Sequence, residues 1–313
     1  MIGQNALVIG LARQGMAVIK HLADGDTSVI ATDLRSAEDL ATPIQDLSSY
    51  AINFVLGEHP LSLLDGVDII FVSGGVPLDI PLLQEARAKG IPLSNDSQLV
   101  LEQLPCRVVG ITGSSGKTTT TLLTGKIIAA SQTYKNVWVG GNVGNPLLLD
   151  MHEMTDQDIA IMELSSFQLE IMTSSPHIAG VLNVSPNHLD RHSNMQEYVM
   201  AKEHILDGQQ SDDIAVLGWD NEVTRRMSKR VHGHCWGFSM NSDANFDDGC
   251  FIENEKIMLR RDGVTNSILP CQEVGLLGAH NLMNVIAASA LAAAAGIEVD
   301  AIQAGICDFD GVP

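Results

Sequence analysis

Lys117 and Thr118, behind the glycines of "GITGSSGKTTT" (residues 110–120), carry the most direct chemical signal in this chain. A glycine-rich turn lets backbone N–H groups close on phosphate oxygens, and the helix start that follows adds partial positive charge. A lysine at 117 can span two phosphates, and a hydroxyl at 118 can ligate Mg²⁺. The candidate loop is Gly113, Ser114, Ser115, Gly116, Lys117, Thr118 and Thr119. It misses the pattern G-x-x-x-x-G-K-[ST] at its first position, which holds Ile111, while the glycines fall at Gly110, Gly113 and Gly116. The context restores the phosphate reading: the apolar run "RVVGIT" (107–112) precedes the loop and a helical pattern follows. The competing reading is a plain strand-to-helix turn capped by a threonine run.

Two further polar clusters follow apolar runs. "IMELSSFQLE" (161–170) puts Glu163 where a strand gives way to polar residues, the end of a parallel strand at which ligands bind. Glu163 is therefore a candidate partner for the Mg²⁺ held by Thr118. "LNVSPNHLDRH" (182–192) places Asn187, His188, Asp190, Arg191 and His192 together. His188 alone reads as a turn residue; beside Glu163 and Lys117 on neighbouring strand ends it becomes a candidate ligand. On residue type alone, Lys202 is an ordinary exposed helix lysine, and Asn281 and Asn284 are polar caps at a helix start.

The elements that must position these residues read as an α/β protein. "ALVIG" (6–10), "SVIATD" (28–33), "INFVLG" (52–57) and "VDIIFVSGG" (67–75) are continuous and β-branched, as buried parallel strands are. "RQGMAVIKHLADG" (13–25) has helical spacing and ends on Gly25, a C-cap signal. The strand–helix rhythm predicts an open, mostly parallel sheet. It restarts at 107, so Pro105 marks a boundary between a domain at 1–104 and a second at 105–308. The second runs through "AIMEL" (160–164), "HIAGVLNVS" (177–185), "DDIAVLGW" (212–219) and a final helix from about Asn281.

The chain has 313 residues, enough for about two domains. With 18 basic against 38 acidic residues its formal charge is −20, which repels nucleic acid and anionic membranes, so neither is an expected partner. Five scattered cysteines without a CxxC pair favour reduced thiols and a cytoplasmic protein over a disulfide framework or zinc site. "MIGQNALVIG" is no signal peptide, and "VIAASALAAAAGI" (285–297) is too short to span a bilayer.

"GITGSSGKTTT", "GGNVGNP", "MELSSFQLE", "NVSPNHLDRH", "YVMAKEHI" and "LLGAHNLMNVIAA" occur in the order seen in the Mur ligases, which this chain resembles over essentially its whole length. These are ATP-dependent amide ligases that build the peptidoglycan stem peptide, and "ELSSFQLE" resembles the D-glutamate-adding branch. The resemblance implies an N-terminal Rossmann-like domain for a UDP moiety and a central P-loop ATPase-type domain. Residues 309–313 would be the stub of a hinge to an absent C-terminal domain, and the chain would bind substrates without completing ligation.

The implied partners are UDP-N-acetylmuramoyl-L-alanine, ATP and D-glutamate, with two Mg²⁺ ions, and the implied state is a monomer. Lys117 and Thr118 would hold ATP phosphates and Mg²⁺, with Glu163 on magnesium and His188 on a second ion. Lys202 matches a lysine that is carbamylated in the family and would then offer oxygen to a cation. Asn281 and Asn284 match adenine contacts. Asn142 faces substrate and phosphates, with Ser165 and Gln168 on the substrate side. In the first domain, Gly10, Arg13, Gln14 and Gly15 of "GLARQG" and Ser73, Gly74 and Gly75 of "SGGVP" would line the diphosphate, and Asp33 and Arg35 the uracil. Ala12 replaces the second glycine of G-x-G-x-x-G and is expected to crowd a pyrophosphate. Three rival functions are a non-catalytic UDP-sugar-binding protein, another ligase of the folylpolyglutamate synthase type, and a nicotinamide-dependent dehydrogenase suggested by "GLARQG" alone.

Overall fold

The computed structural model describes residues 4–186, 194–276 and 278–311. They form two compact α/β units: Met1–Gln103 with Pro146–His152, and Leu104–Asn145 with Glu153–Pro313.

Unit 1 is built on β1 (Asn5–Ile9), α1 (Arg13–Asp24), β2 (Ser28–Asp33), α2 (Ala41–Asp46), β3 (Ile52–Leu56), β4 (Ile69–Val72), α3 (Pro81–Ala88), β5 (Leu93–Ser94) and α4 (Asp96–Gln103). The strands make one sheet in the order β3-β2-β1-β4-β5, all pairs parallel. Ala6, Leu7, Val8 and Ile9 are all buried, so β1 is covered on both faces, which explains its unbroken apolar run. The order reverses direction beside β1, so the loops after β1 and β4 lie next to each other at the switch point where such sheets bind ligands. Ser73 Oγ donates to the Gly10 carbonyl at 2.8 Å, joining those two loops. α1 enters through Ala12 in extended backbone (φ −85°), a conformation open to any residue, and stops at Gly25. The substitution of alanine for glycine at 12 therefore carries no backbone strain. Leu147 and Leu148, distant in sequence, are buried against α1 and α4.

Unit 2 contains β6 (Arg107–Thr112), α5 (Lys117–Ser131), β7 (Val137–Gly141), β8 (Ile159–Glu163), α6 (Ser166–Leu169), β9 (Ile178–Val181), α7 (Met195–Asp207), β10 (Ile214–Gly218), α8 (Glu222–Met227), β11 (His234–Ser239), β12 (Asp248–Glu253), β13 (Lys256–Arg261), β14 (Val264–Pro270), α9 (Ala279–Ala294) and α10 (Val299–Cys307). They give a nine-stranded sheet in the order β14-β13-β12-β11-β10-β9-β6-β8-β7. The pairs from β7 to β12 are parallel; β12, β13 and β14 form an antiparallel meander. The meander is absent from the reading of the sequence. Its turns sit at Asn254–Glu255 and Asp262–Gly263, all with positive φ, as two-residue hairpin turns require.

The core of unit 2 joins Val109 and Ile111 of β6, Leu123 and Ile127 of α5, and the alanine-rich face of α9. α9 is buried through most of its length, and its small side chains let α5 and the sheet approach closely. Among the described residues no helix is long and apolar enough to cross a membrane.

At Gly15 a Cβ would stand 1.9 Å from the Gly10 carbonyl oxygen, so α1 can close onto the β1 loop only with glycine there. Gly15→Ala is expected to cost about 1–3 kcal/mol, read as a lower urea midpoint by far-UV circular dichroism. An unchanged midpoint would mean that this approach is not tight in solution.

Candidate active site

β6 lies between β8 and β9, with Ile111 opposite Glu163 and Thr112 opposite Val181. The loop leaving β6 therefore emerges between the exits of both neighbours. Each exit holds it. On the β9 side, Ser114 N donates to Asn183 O at 2.9 Å, and Ser114 Oγ donates to Ser185 O at 3.0 Å. Asn183 accepts from Ser115 N at 3.0 Å and donates to Ser115 O at 3.0 Å, clamping the loop from both sides. Gly116 then turns with φ +82°, and a Cβ there would stand 2.2 Å from Asn284 Oδ1. Only glycine lets α9 come that near the start of α5. The clamp frees the Gly116–Lys117–Thr118 corner to begin α5.

On the β8 side, Thr118 Oγ1 donates to Glu163 Oε2 at 2.7 Å, and Asn142 Nδ2 donates to Glu163 Oε1 at 2.8 Å. Glu163 is 3% exposed, so its carboxylate is held by these two polar partners rather than by water. Lys117 Nζ curls back to the Gly113 carbonyl at 3.0 Å. Burial lowers its pKa, opposed by the negative charge of Glu163.

Behind the loop sits a second cation. Lys202 of α7 is 1% exposed and donates to Gly113 O at 3.1 Å and Thr112 Oγ1 at 3.3 Å. Its ammonium lies 4.7 Å from the Tyr198 ring centre, one helical turn back, and Tyr198 OH shares a 3.0 Å hydrogen bond with Ser114 Oγ. No carboxylate faces it at ion-pair distance among the described residues. Burial, reinforced by the Lys117 charge, brings its pKa down to about 7. The reading of Lys202 from residue type alone as an exposed helix lysine is therefore corrected: α7 turns this side chain inward beneath the phosphate loop.

The structure thus brings together Gly113, Ser114, Ser115, Gly116, Lys117, Thr118, Asn142, Glu163, Lys202 and Asn284. Thr119 follows in the first turn of α5, half-buried, and Asn281 lies one turn before Asn284 in α9, its Oδ1 accepting from Asn284 Nδ2 at 3.4 Å. Ser165 and Gln168 serve each other: Ser165 N and Oγ both donate to Gln168 Oε1 at 2.9 Å, a capping box that starts α6 just past Glu163. His188 lies outside the described residues, as do Asn187, Asp190, Arg191 and His192. Sequence reasoning passed over Asn183, Thr112 and Tyr198. Thr112 ends one buried apolar run and Asn183 directly follows another, and that was the available signal; Tyr198 has none.

A Mg²⁺ fits this donor set. Hard oxygens of Thr118 and Glu163 sit side by side, and such an ion is usually bound by one or two carboxylates with substrate phosphates and water completing it. Among the described residues no cluster of three His, Cys, Asp or Glu side chains forms a closed cage.

In unit 1, the Asp33 carboxylate accepts from Leu11 N at 2.8 Å and from Arg35 N, Nε and Nη2 at 2.9, 3.0 and 2.7 Å. Asp33 is buried, and these bonds, chiefly those from Arg35, overcome desolvation and bring its pKa down to about 2. Arg35 keeps an outer face, with its side chain 49% exposed. Gln14 and Gly15 share a narrow cleft with Ser73, Asn95 and Asp96, while Arg13 and Gly75 are exposed and Gly74 is half-buried.

Residues 111–292 match the Mur ligase middle domain, and residues 4–95 match a MurD-like N-terminal domain of Mur ligases. The chain belongs to the Mur ligases. A relative from Symbiobacterium thermophilum, named UDP-N-acetylmuramoylalanine–D-glutamate ligase, is 38% identical over 309 residues, covering 99% of this chain and 68% of the relative. Its namesake from Acidobacterium capsulatum is 38% identical over 313 residues, covering 99% and 67%. This Mur ligase chain thus spans about two-thirds of those relatives' length. Its fold is that of the UDP-N-acetylmuramate:L-alanyl-gamma-D-glutamyl-meso-diaminopimelate ligase from Neisseria meningitides, with a TM-score of 0.63 at 15% identity, covering 99% of both chains. The UDP-N-acetylmuramate-alanine ligase of Thermotoga maritima gives a TM-score of 0.55 at 18% identity, covering 99% and 69%.

A buried ammonium without a counter-ion should destabilise the fold. Its folded pKa, about 7, lies below the ordinary 10.5, so the penalty is full below pH 7 and is relieved as pH rises from there towards the ordinary value. In bicarbonate-free buffer, Lys202→Met is expected to match or exceed the parent's urea midpoint at pH 6.5 (about half a unit below that pKa), with the gap closing towards pH ~10. A variant less stable than the parent at every pH would show that the ammonium is compensated.

Proposed function

We propose that this chain carries the nucleotide-handling part of an ATP-dependent ligase that adds D-glutamate to UDP-N-acetylmuramoyl-L-alanine through an acyl phosphate. The observation that carries this reading is the contact of Thr118 with Glu163 beside the Lys117 loop, with Asn142 on the same carboxylate. The names of the 38%-identical relatives support the choice of substrates.

In the first step a carboxylate oxygen of the UDP-linked substrate attacks the γ-phosphorus of ATP. The bond from phosphorus to the β-bridging oxygen breaks, and ADP leaves with its electron pair. Two anions must meet, so the chain's task is neutralisation and alignment. With Ser114 N and Ser115 N held by Asn183, the backbone N–H groups at Gly116 and the start of α5 cradle phosphate, and Lys117 supplies positive charge. Thr118 and Glu163 would hold one Mg²⁺, which when bound offsets the charge of the phosphates. Asn142, fixed by Glu163, presents its amide to the substrate side, and His188 would serve a second ion. In the second step the D-glutamate amine attacks the acyl carbonyl, phosphate departs, and an amide forms with loss of the amine's proton.

In the same reading, Gly10, Arg13, Gln14, Gly15, Ser73, Gly74 and Gly75 hold the UDP diphosphate, Asp33 anchors Arg35 at the uracil end, and Asn281 and Asn284 contact adenine. Lys202 is carbamylated: a near-neutral amine beneath the phosphate loop can add CO₂, replacing an uncompensated cation by an anion close to Lys117. The protein acts in the cytoplasm as a monomer.

Calorimetric titration with UDP-N-acetylmuramoyl-L-alanine, with ATP in the presence of Mg²⁺, and with NADH tests the assignment. Saturable binding of the first two and none of NADH is the expected result. Failure to bind the UDP ligand, or equal binding of NADH, would overturn it. For Lys202, ¹³C-bicarbonate should yield a carbamate carbon resonance in the parent that Lys202→Met lacks; its absence from the parent would remove the carbamate.

A further inference from the structure

Unit 2 has a second opening along the sheet edge that carries the phosphate loop. β10 lies two strands from β6, roughly 10 Å at the usual strand spacing. Beside it, the parallel strands β11 and β12 are joined by residues 240–247 alone. Parallel connections are usually longer and carry a helix. With no helix to fill the space, a cavity of about 530 Å³ stays open at the exits of β10 and β11. Trp219 and Asp220 after β10, Arg225 of α8, and Asn241, Asp243 and Asn245 of the connection line it. Carboxyl ends of parallel strands are where such sheets take ligands.

Some of these groups are fixed and others are unspent. The Asp220 carboxylate accepts from Ser239 Oγ, from Met240 N at 2.8 Å and from Asn241 Nδ2 at 3.1 Å. The Trp219 ring is braced edge-to-face by Phe246, with ring centres 5.6 Å apart and planes at 76°, which makes it a rigid apolar wall. Arg225, by contrast, is exposed and makes only a long bond, from Nη1 to the Trp219 carbonyl at 3.5 Å. The side chains of Asp243 and Asn245 and the Asn241 Oδ1 have no hydrogen bond to any described residue. Neither Arg225 nor Asp243 has an ion-pair partner among the described residues. The two charges share one cavity, stand beyond ion-pair reach of each other, and depend on solvent.

A ligand that fills the cavity strips water from both charges, and a charge left unpaired by that costs affinity. A neutral sugar would leave both unpaired. An anion would satisfy Arg225 and face Asp220 and Asp243; a cation would leave Arg225 alone. Only a zwitterion pairs both. The unspent amides of Asn241 and Asn245 further match the N–H and C=O of a peptide group, which a free amino acid lacks. We propose that this cavity binds a short peptide by its two ends. The terminal carboxylate meets Arg225, the terminal ammonium meets Asp243, the peptide group lies against Asn241 and Asn245, and an apolar side chain packs on Trp219.

Glycyl-phenylalanine is the probe, titrated calorimetrically into the whole chain. The comparators are its N-acetylated and C-amidated forms, glucose, and D-glutamate, whose second carboxylate Asp220 and Asp243 would oppose. Saturable binding of the dipeptide is expected, weakened about tenfold by blocking either end and at least as much for glucose and D-glutamate. Arg225→Gln and Asp243→Asn, both exposed and outside the ATP site, should each weaken the dipeptide about tenfold. Asp243→Asn should then bind free and acetylated peptide within about twofold of each other while still rejecting the amide, and Arg225→Gln should show the reverse. General damage to the cavity would weaken all forms alike and leave those ratios unchanged, so unchanged ratios would overturn the assignment of the two ends. No saturable binding of the dipeptide, or glucose or D-glutamate binding as tightly, would overturn the peptide site itself.

Discussion

The hydrogen-bonded register of β6 between β8 and β9 is the constraint on which the site depends. Parallel strands deliver their next residues to the same edge of the sheet, and here that edge receives the loop after β6 from one strand, Glu163 from a second and Asn183 from a third. A slip of one residue in β8 would turn Glu163 to the other face and leave the Thr118 hydroxyl without its carboxylate. The loop's shape is similarly imposed from outside. Asn183 and Ser185 hold Ser114 and Ser115, and so the backbone that would meet phosphate is ordered before any ligand arrives.

That edge also concentrates charge. Lys117 and Lys202 both donate to the Gly113 carbonyl, so two ammonium groups share one acceptor under a loop shaped for anions. Such a cluster is costly in the free protein and is relieved by whatever negative charge enters, whether phosphate or a carbamate on Lys202 itself. Unit 1 handles charge in the opposite way. Its acidic residue, Asp33, is neutralised internally by Arg35, and the guanidinium left at the surface is preset rather than searching.

Much of this was legible in the chain. The strands of unit 1, the phosphate loop and the position of Glu163 at a strand end follow from continuous β-branched runs, glycine spacing and the place where polarity changes. The antiparallel meander was missed although Asp262–Gly263 is a hairpin signal, because the apolar residues around it alternate weakly beside the parallel strands. The membership of Pro146–His152 in unit 1 carries no local mark at all: three leucines after a proline read the same wherever they are buried.

By itself, then, the sequence determined the kinds of element, the parallel α/β class and the residue types able to bind phosphate and a hard cation, since these depend on local periodicity and on the chemistry of single side chains. Only the tertiary structure decided which partners those residues have. Lys202 is 1% exposed rather than a surface lysine because α7 packs its inner face under β6. Asp33 binds Arg35, and Thr32 Oγ1 lies 2.9 Å from His59 Nδ1, a residue 27 positions further along the chain. Each of these outcomes depends on how distant strands align and on what burial removes from water, and neither is written in the spacing of residues along the chain.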